Sequence, residues 1–204
     1  MPFVYQQNIN LYTRLGVWHI SEEEGFFKDI VLQREITHPH KRLQHLAGRY
    51  LLQTLYPGFP LHMIRIAETR RPFLDNDPFH FSISHCGDYA AVIVSRENRV
   101  GVDIEITTPK AVRLQKKFLN DDEISLPRPG NMNEEEFFTL CWSIKESVFK
   151  WHAKGGLDFR RDIHIRSINH AEEAWVCNSV YSGDVPLVVK AIRINKNWLT
   201  WLVT

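Results

Sequence analysis

The chain has 204 residues, of which 44% are hydrophobic and 12% are aromatic. This length and composition suit one large domain or two small ones and exclude a disordered chain. Because 25 Lys and Arg almost balance 24 Asp and Glu, the net charge of +1 provides no overall field to attract nucleic acid or an anionic membrane.

The cysteines and the hydropathy pattern indicate the compartment. Cys86, Cys141 and Cys177 are isolated and form no C-x-x-C pair, which argues against a disulfide framework or a zinc ribbon. The N-terminal sequence has no basic segment followed by an apolar run, and no stretch approaches the length of a membrane-spanning helix. We therefore expect a soluble, cytoplasmic protein.

Helical patterns come first along the chain. Ser21 and Glu24 have the spacing of a capping box, which predicts a helix over about residues 22–32. A second helix is predicted from Pro39 to about Leu55, because apolar residues recur there every three or four positions. Basic residues occupy its other face, so this helix is amphipathic.

From Phe79 to Ile106 the hydrophobic period changes from 3.6 to 2. The segments FHFSIS, YAAVIVS and VGVDIEI are predicted strands, and the turns between them contain CGD and RENR. Together they resemble a meander of antiparallel strands.

Helical patterns return over about residues 110–118 and 134–153. Asn133 is the predicted N-cap of the longer helix, and the glycine pair 155–156 is its predicted end. The tail, residues 161–204, has the pattern of several strands.

The order of these elements predicts an α+β fold with two similar halves. No low-complexity linker marks a boundary, so we place it by pattern alone, with domains at residues 1–98 and 99–204.

Two carboxylates share one face of the predicted strand VGVDIEI. Because side chains alternate along a strand, Asp103 and Glu105 point the same way, together with Gly101. An exposed polar face is one interpretation. The other is a divalent cation site, since like charges two residues apart resist joint ionisation and Mg²⁺ prefers oxygen ligands. On that interpretation, Gly101 leaves room for a ligand to approach the backbone.

The helix WSIKESVFK carries an unusual stripe at helical spacing. Trp142, Lys145, Glu146, Phe149 and Lys150 fall on one face, which mixes aromatic and charged residues. A surface ion pair from Glu146 to Lys150 would explain two of them. The wall of a cleft would explain all five, with Glu146 as a third metal ligand and the lysines as partners of phosphates.

With these motifs, the chain resembles the 4'-phosphopantetheinyl transferase superfamily, in its longer single-chain form that activates surfactin synthetase. GVDIE matches the family's G-[VI]-D-[IVL]-E strand and WSIKESVFK its W-x-x-K-E-[SA]-x-x-K helix. RRPFLDNDPFHFSISHCGDYAAVIV, over residues 70–94, is similar to the family's G-K-P-x-[LF] turn followed by F-N-[IV]-S-H-[ST]. KKFLNDDE, over residues 116–123, is similar to its F-[FL]-x-x-x-E element.

The resemblance implies two pseudo-twofold-related α+β halves with coenzyme A in the cleft between them, most simply in a monomer. It also implies a reaction, in which the 4'-phosphopantetheine arm of coenzyme A is transferred to a serine of an acyl or peptidyl carrier protein. Adenosine 3',5'-bisphosphate is the other product.

The resemblance also assigns roles to particular residues. Mg²⁺ would be held by Asp103, Glu105 and Glu146, with Glu146 also the candidate base and Lys150 on the transferred phosphoryl group. Further contacts to coenzyme A are expected from Arg42 (with Lys41 or Arg49 as rivals for the 3'-phosphate), Arg71, Ser84, His85, Asp103 and Lys145. Phe118 and Leu119 would either meet the carrier or pack in the core.

The sequence departs from the family pattern at three positions. Arg70 replaces a Gly, Arg71 replaces a Lys and Cys86 replaces a Ser or Thr. An arginine keeps the charge of lysine but presents it as a planar fork. These departures bear on coenzyme affinity more than on the class of reaction.

Other functions would use the same residues differently. A coenzyme A binding module without catalysis and a Mg²⁺-dependent hydrolase of the coenzyme A diphosphate are the main alternatives. A Cys86–His85 nucleophilic pair is disfavoured because adjacent strand residues point to opposite faces. A zinc site at His38, His40 and His45 lacks a closing set of ligands.

Overall fold

The computed structural model describes residues 3–171 and 173–204 and contains two compact units. The first unit extends to Val100 and also holds Thr204, and the second comprises Gly101–Val203. Each unit combines helices with β-sheet, so the predicted α+β class is confirmed. The similarity of the two halves and their assignment as domains remain predictions.

The first unit contains a four-stranded antiparallel sheet in the order β1-β2-β6-β5. A separate short pair, β3 with β4, lies between its hairpins in the chain. The strands are β1 (Phe3–Asn8), β2 (Thr13–His19), β3 (Arg65–Ile66), β4 (Pro72–Phe73), β5 (His80–Cys86) and β6 (Tyr89–Ser95).

Helix α1 (Pro39–Leu55) covers this sheet, as its periodicity predicts. His38 caps its N-terminus and Pro39 occupies the first turn, where a missing N–H costs nothing. The buried apolar face of α1 packs mainly on β2 and β6. Gly48 allows this close approach, since a Cβ there would lie 2.8 Å from Cγ2 of Ile83.

The predicted helix over residues 22–32 is wrong. Only a single 3-10 turn, Glu24–Phe27, forms there, and no side chain caps it. Gly25 weakens helix propagation, and one turn already buries Phe27 against the ring of Tyr50. The capping-box pattern therefore marks a turn rather than a longer helix.

The second unit contains a five-stranded sheet in the order β7-β11-β10-β9-β8. The strands predicted in the tail form its last four members. They are β7 (Val100–Ile106), β8 (Ile163–Ala171), β9 (Ala174–Tyr181), β10 (Val185–Ile194) and β11 (Asn197–Val203).

The long helix of the second unit packs on β11. Asn133 caps it as predicted, in a capping box with Glu136, but the helix ends where Ala153 adopts a left-handed φ of 73°, before the glycine pair. The helices are α2 (Pro109–Phe118), α3 (Asp121–Ile124), α4 (Glu134–His152) and α5 (Phe159–Asp162).

Across the part of the chain that the structure describes, none of the helices has the length and apolar character needed to span a membrane.

Candidate active site

Strand β7 lies directly against helix α4, and Gly101 makes this possible. A Cβ on Gly101 would lie 2.1 Å from the carbonyl oxygen of Ser147 and 2.9 Å from Trp151. We expected this glycine to leave room for a ligand, and that expectation is wrong because the helix backbone fills the space. The contact instead brings the next residue on the same strand face, Asp103, under α4.

Asp103 is a buried carboxylate with both oxygens engaged. Its side chain is 2% exposed. Oδ1 accepts a hydrogen bond from Nζ of Lys150 at 2.6 Å, and Oδ2 accepts one from Oγ of Ser143 at 2.8 Å. The ion pair offsets the cost of burying the charge, so Asp103 is fixed in place between strand and helix.

Glu105 is half-buried two residues further along the strand. It accepts a hydrogen bond from Nε1 of Trp142 at 3.2 Å. The Trp142 ring itself packs against Phe118 and Phe159, with centroids 5.1 and 5.5 Å away. Trp142, one of the aromatic residues of the predicted helix stripe, thus holds the carboxylate of Glu105 in place.

Glu146 completes the group from the helix side. Burial raises its pKa from 4.5 to about 7, the Lys150 ammonium lowers it, and the charges of Asp103 and Glu105 raise it further. Three carboxylates and one lysine therefore interact electrostatically, as the sequence spacing predicts. A glutamate with a pKa near neutrality can accept and release a proton at physiological pH.

These residues can be tested for their fit to Mg²⁺. Their oxygens are the donors that Mg²⁺ prefers, and a bound cation would relieve the repulsion that raises the Glu146 pKa. Within residues 3–171 and 173–204, however, no three His, Cys, Asp or Glu side chains are already gathered as a ligand set. The chemistry of the donors suits the ion, and the carboxylates would have to come closer together to hold it.

Lys145 does not join this group. Its ammonium is fully buried and contacts the Glu123 carboxylate at 2.7 Å, together with the carbonyl oxygens of Phe159 at 2.8 Å and Ile163 at 2.7 Å. Glu123 also accepts the backbone N–H of Ile165. The pair connects α4 to α3 and β8 and leaves Lys145 no surface for a phosphate.

A cavity of about 190 Å³ lies beside Glu105 and Trp142. Phe118 lies in its wall, yet it is buried, as is Leu119. Core packing, rather than an exposed recognition surface, is therefore the role of both residues. The cavity is lined by Glu105, Ile106, Thr108, Lys110, Ala111, Leu114, Phe118, Thr139 and Trp142.

The first unit has a basic pocket of about 140 Å³. The rings of His45 and His85 meet there, with centroids 5.0 Å apart. Burial and the charges of His85, Arg49, Arg34 and Lys41 lower the pKa of His45 to about 4. The pocket is lined by Arg34, His45, Arg49, Ile66, Arg70, Pro72, Ile83 and His85.

Several residues predicted from the sequence fall at or near this pocket. His85 and Arg49 line it, whereas Arg42 pairs with Glu24 at 2.7 Å and is not among the lining residues. Ser84 is buried on β5, on the face opposite its neighbour His85.

Arg71 also lies outside the lining. It is half-buried, which lowers the pKa of its guanidinium, while the neighbouring Asp77 raises it. Arg70 lines the pocket in its place, with a left-handed φ of 66°. Arg70 replaces the family's Gly, a residue that adopts this backbone conformation at no steric cost.

Sequence reasoning did not predict three of the ionisable lining residues, Arg34, His45 and Arg70, for this pocket. A signal was present for His45, because it lies one helical turn before Arg49 on α1. Arg34 precedes the helix and Arg70 follows it, so only the folded chain brings them to the same pocket.

The alternative zinc site is not supported. Nδ1 of His38 accepts the Lys41 N–H at the helix cap, Nε2 of His40 lies 3.1 Å from the carbonyl oxygen of Gly87, and His45 lies in the basic pocket. The three rings thus have separate surroundings.

Comparison with known proteins confirms the resemblance. Residues 99–186 match the model of the 4'-phosphopantetheinyl transferase superfamily. The chain is 34% identical over 113 residues to "4'-phosphopantetheinyl transferase psf-1" of Bacillus pumilus, covering 52% of this chain and 47% of that protein. It is 33% identical over 117 residues to "4'-phosphopantetheinyl transferase AcpT" of Escherichia coli strain K12, covering 54% and 57%.

Two further matches differ in extent, the first being as long as those above and the second shorter. "Enterobactin synthase component D" of Salmonella austin is 34% identical over 115 residues, covering 54% of this chain and 47% of that protein. "4'-phosphopantetheinyl transferase Sfp" of Bacillus subtilis strain 168 is 36% identical over 78 residues, covering 37% and 34%. The chain spans about half the length of most of the curated relatives it matches.

Proposed function

Because residues 99–186 match the 4'-phosphopantetheinyl transferase superfamily, we propose that this protein transfers 4'-phosphopantetheine from coenzyme A to a serine of an acyl or peptidyl carrier protein. The observation that carries the proposal is the grouping of Asp103, Glu105, Glu146 and Lys150 inside the matched segment. This is the acidic and cationic set that a reaction at a diphosphate requires.

Asp103, Glu105 and Glu146 would hold Mg²⁺. When bound there, the ion neutralises charge on the pyrophosphate of coenzyme A. Lys150 would bind an oxygen of the phosphoryl group that carries the pantetheine arm. The Lys150 side chain is 25% exposed, while its ammonium contacts Asp103 at 2.6 Å.

Glu146 is the proposed base. The carrier serine attacks the phosphorus atom attached to pantetheine, its hydroxyl proton passes to Glu146, and the bond to adenosine 3',5'-bisphosphate breaks. Without the ion, burial and the neighbouring carboxylates raise the pKa of Glu146 to about 7; a bound Mg²⁺ would lower it, so that Glu146 would be ionised and able to accept the serine proton.

The basic pocket of the first unit would bind a terminal phosphate of coenzyme A. Arg49 and His85 line it, and Arg34 and Arg70 add further positive charge. Arg49 is 4% exposed, and a buried guanidinium binds phosphate strongly because water competes little, whereas Arg34 and Arg70 are exposed. Among the three rivals on α1, this proposal favours Arg49 for the 3'-phosphate.

The experiment that tests the proposal is intact mass spectrometry of apo carrier proteins incubated with the protein, coenzyme A and Mg²⁺. A gain of one phosphopantetheinyl group, lost with EDTA and in Glu146→Gln, is expected. Glu134→Gln is the matched control, because Glu134 lies on the same helix and pairs at the surface with Arg128.

The alternatives give different results in the same assay. Cleavage of coenzyme A without a carrier would favour the hydrolase. Binding of coenzyme A with neither cleavage nor transfer, across fatty acid, polyketide and nonribosomal peptide carriers, would favour the binding module.

A further inference from the structure

A chain of hydroxyl groups ends at Asp103. Ser147 and Ser143 lie one turn apart on α4, and Thr200 faces both from β11. Oγ1 of Thr200 lies 2.6 Å from Oγ of Ser147 and 2.9 Å from Oγ of Ser143, which in turn lies 2.8 Å from Oδ2 of Asp103. All three hydroxyl residues are 0% exposed.

The direction of these hydrogen bonds follows from counting hydrogens. Each hydroxyl has one hydrogen, and an ionised carboxylate only accepts. The Ser143 hydrogen therefore goes to Asp103, so Thr200 must donate to Ser143, where its hydrogen is shared with the Ser143 carbonyl oxygen at 2.9 Å. Ser147 also donates to the carbonyl oxygen of Thr200 at 3.1 Å, so its contact of 2.6 Å with Oγ1 of Thr200 has no fixed direction. The hydroxyl relay that reaches the carboxylate therefore runs from Thr200 through Ser143 to Asp103, and Ser147 holds Thr200 from the other side.

The relay fixes one oxygen of Asp103 and leaves the other for a cation. Oδ2 is held by Ser143, whereas Oδ1 contacts the ammonium of Lys150 at 2.6 Å. Aligned hydrogen bonds in a buried setting polarise one another, which strengthens the last bond to the carboxylate. The carboxylate is thus oriented by groups that no solvent reaches.

We propose that Ser143 and Thr200 are positioning residues for Asp103 as a ligand of Mg²⁺. The inference rests on the proposed function, because it takes Asp103 as one of the residues that would hold the ion. Residues that orient a metal ligand typically contribute 10-fold to 100-fold in metal affinity. Thr200 acts through Ser143 and touches no reacting atom.

The first test is Mg²⁺ binding, measured by titration calorimetry with coenzyme A present. Ser143→Ala should weaken Mg²⁺ binding by roughly 10-fold to 100-fold, while the rate at saturating Mg²⁺ recovers to within a few-fold of wild type. Thr200→Val should weaken it less, and Thr200→Ser, which keeps the hydroxyl, should restore it.

Ser179→Ala is the matched control. Ser179 is a buried serine of the same unit, and its Oγ lacks a hydrogen-bond partner within the described residues. The same chemical change there should leave Mg²⁺ affinity at the wild-type value.

The outcomes separate this inference from the proposed function. If wild type binds no Mg²⁺, the proposed function falls, and the positioning of a metal ligand falls with it. If wild type and Ser143→Ala bind Mg²⁺ equally, only the relay is overturned.

A second measurement needs neither metal nor activity. In a double-mutant cycle of Ser143→Ala with Asp103→Asn, the unfolding equilibrium constants should be non-additive by about tenfold or more, as for a hydrogen bond to a charged group. Additive effects, equal to those of the cycle between Ser179→Ala and Asp103→Asn, would overturn the relay.

Discussion

The Cα of Gly101 lies so close to the carbonyl oxygen of Ser147 that a Cβ on it would be only 2.1 Å from that oxygen. This contact keeps strand β7 close to helix α4. Asp103, two residues along the same strand face, is thereby within hydrogen-bonding distance of Ser143 and Lys150 on the helix. The stability of the second unit should therefore depend on the absence of a side chain at position 101.

Gly101→Ala is expected to lower the free energy of unfolding by about 3 kcal/mol or more, because helix backbone cannot move aside as a flexible side chain can. Urea unfolding monitored by tryptophan fluorescence measures it. Gly25→Ala is the control, since no heavy atom lies within 4 Å of a Cβ there. Similar losses in the two variants would contradict the close-contact explanation.

Lys145→Met should destabilise the protein by roughly 3–5 kcal/mol, because it leaves the carboxylate of Glu123 buried without its cation. The double variant Lys145→Met with Glu123→Gln should lose less free energy of unfolding than Lys145→Met alone, because no buried charge of this pair then remains. Unfolding in urea checks both. Lys117→Met, at an exposed lysine of α2, should change the free energy of unfolding by no more than about 0.5 kcal/mol.

Glu146→Gln should stabilise the protein at high pH. The folded-state pKa of about 7 exceeds the ordinary 4.5, so Glu146 favours the folded state only while protonated, and this contribution is lost as pH rises through 7. The increase in the free energy of unfolding caused by Glu146→Gln should be small at pH 4.5. Above pH 8 it should reach at most roughly 3 kcal/mol, because solvent screening reduces the effect of the charge.

Urea unfolding at pH 5 and pH 8 measures this difference. Glu134→Gln serves as control, because its exposed carboxylate pairs with Arg128 at the surface. A gain from Glu146→Gln that is equal at both pH values would count against the raised pKa.

Arg49→Gln should reduce the affinity for coenzyme A about tenfold or more and leave the affinity for coenzyme A lacking its 3'-phosphate unchanged. Titration calorimetry with the two ligands measures the difference. Arg42→Gln, which removes a pair with Glu24 outside the lining, should bind both ligands as wild type does. If Arg42→Gln lost affinity for coenzyme A alone and Arg49→Gln did not, Arg42 rather than Arg49 would be the residue that binds the 3'-phosphate.

Period and composition were enough to predict the carboxylate group. Alternation along VGVDIEI put Asp103 and Glu105 on one face, and helical spacing put Glu146 and Lys150 together. Each pair lies within a single element, so the period of that element determines which face its two residues share. The α+β class and the helices α1, α2 and α4 were predictable for the same reason.

The surroundings of these residues could not be predicted this way. Lys145 shares the stripe with Glu146, yet the first residue of α5 and the first residue of β8 enclose its ammonium, and periodicity within one helix does not predict contacts with distant elements. Thr200 lies 97 positions after Asp103, so the relay exists only once β11 is in place. The turn at Glu24–Phe27 was misjudged because burial of one aromatic residue overrode a capping pattern.

Among the described residues, strand β7 lies at the edge of its sheet with β11 as its one neighbour, and β11 follows it by about 90 residues. During synthesis, β7 leaves the ribosome long before its partner exists, so the growing chain carries an unpaired VGVDIEI segment for several seconds at ordinary elongation rates. Charged side chains on an unpaired strand oppose pairing with another chain. Asp103 and Glu105 supply such charges, so we expect them to oppose pairing of the nascent strand with another chain.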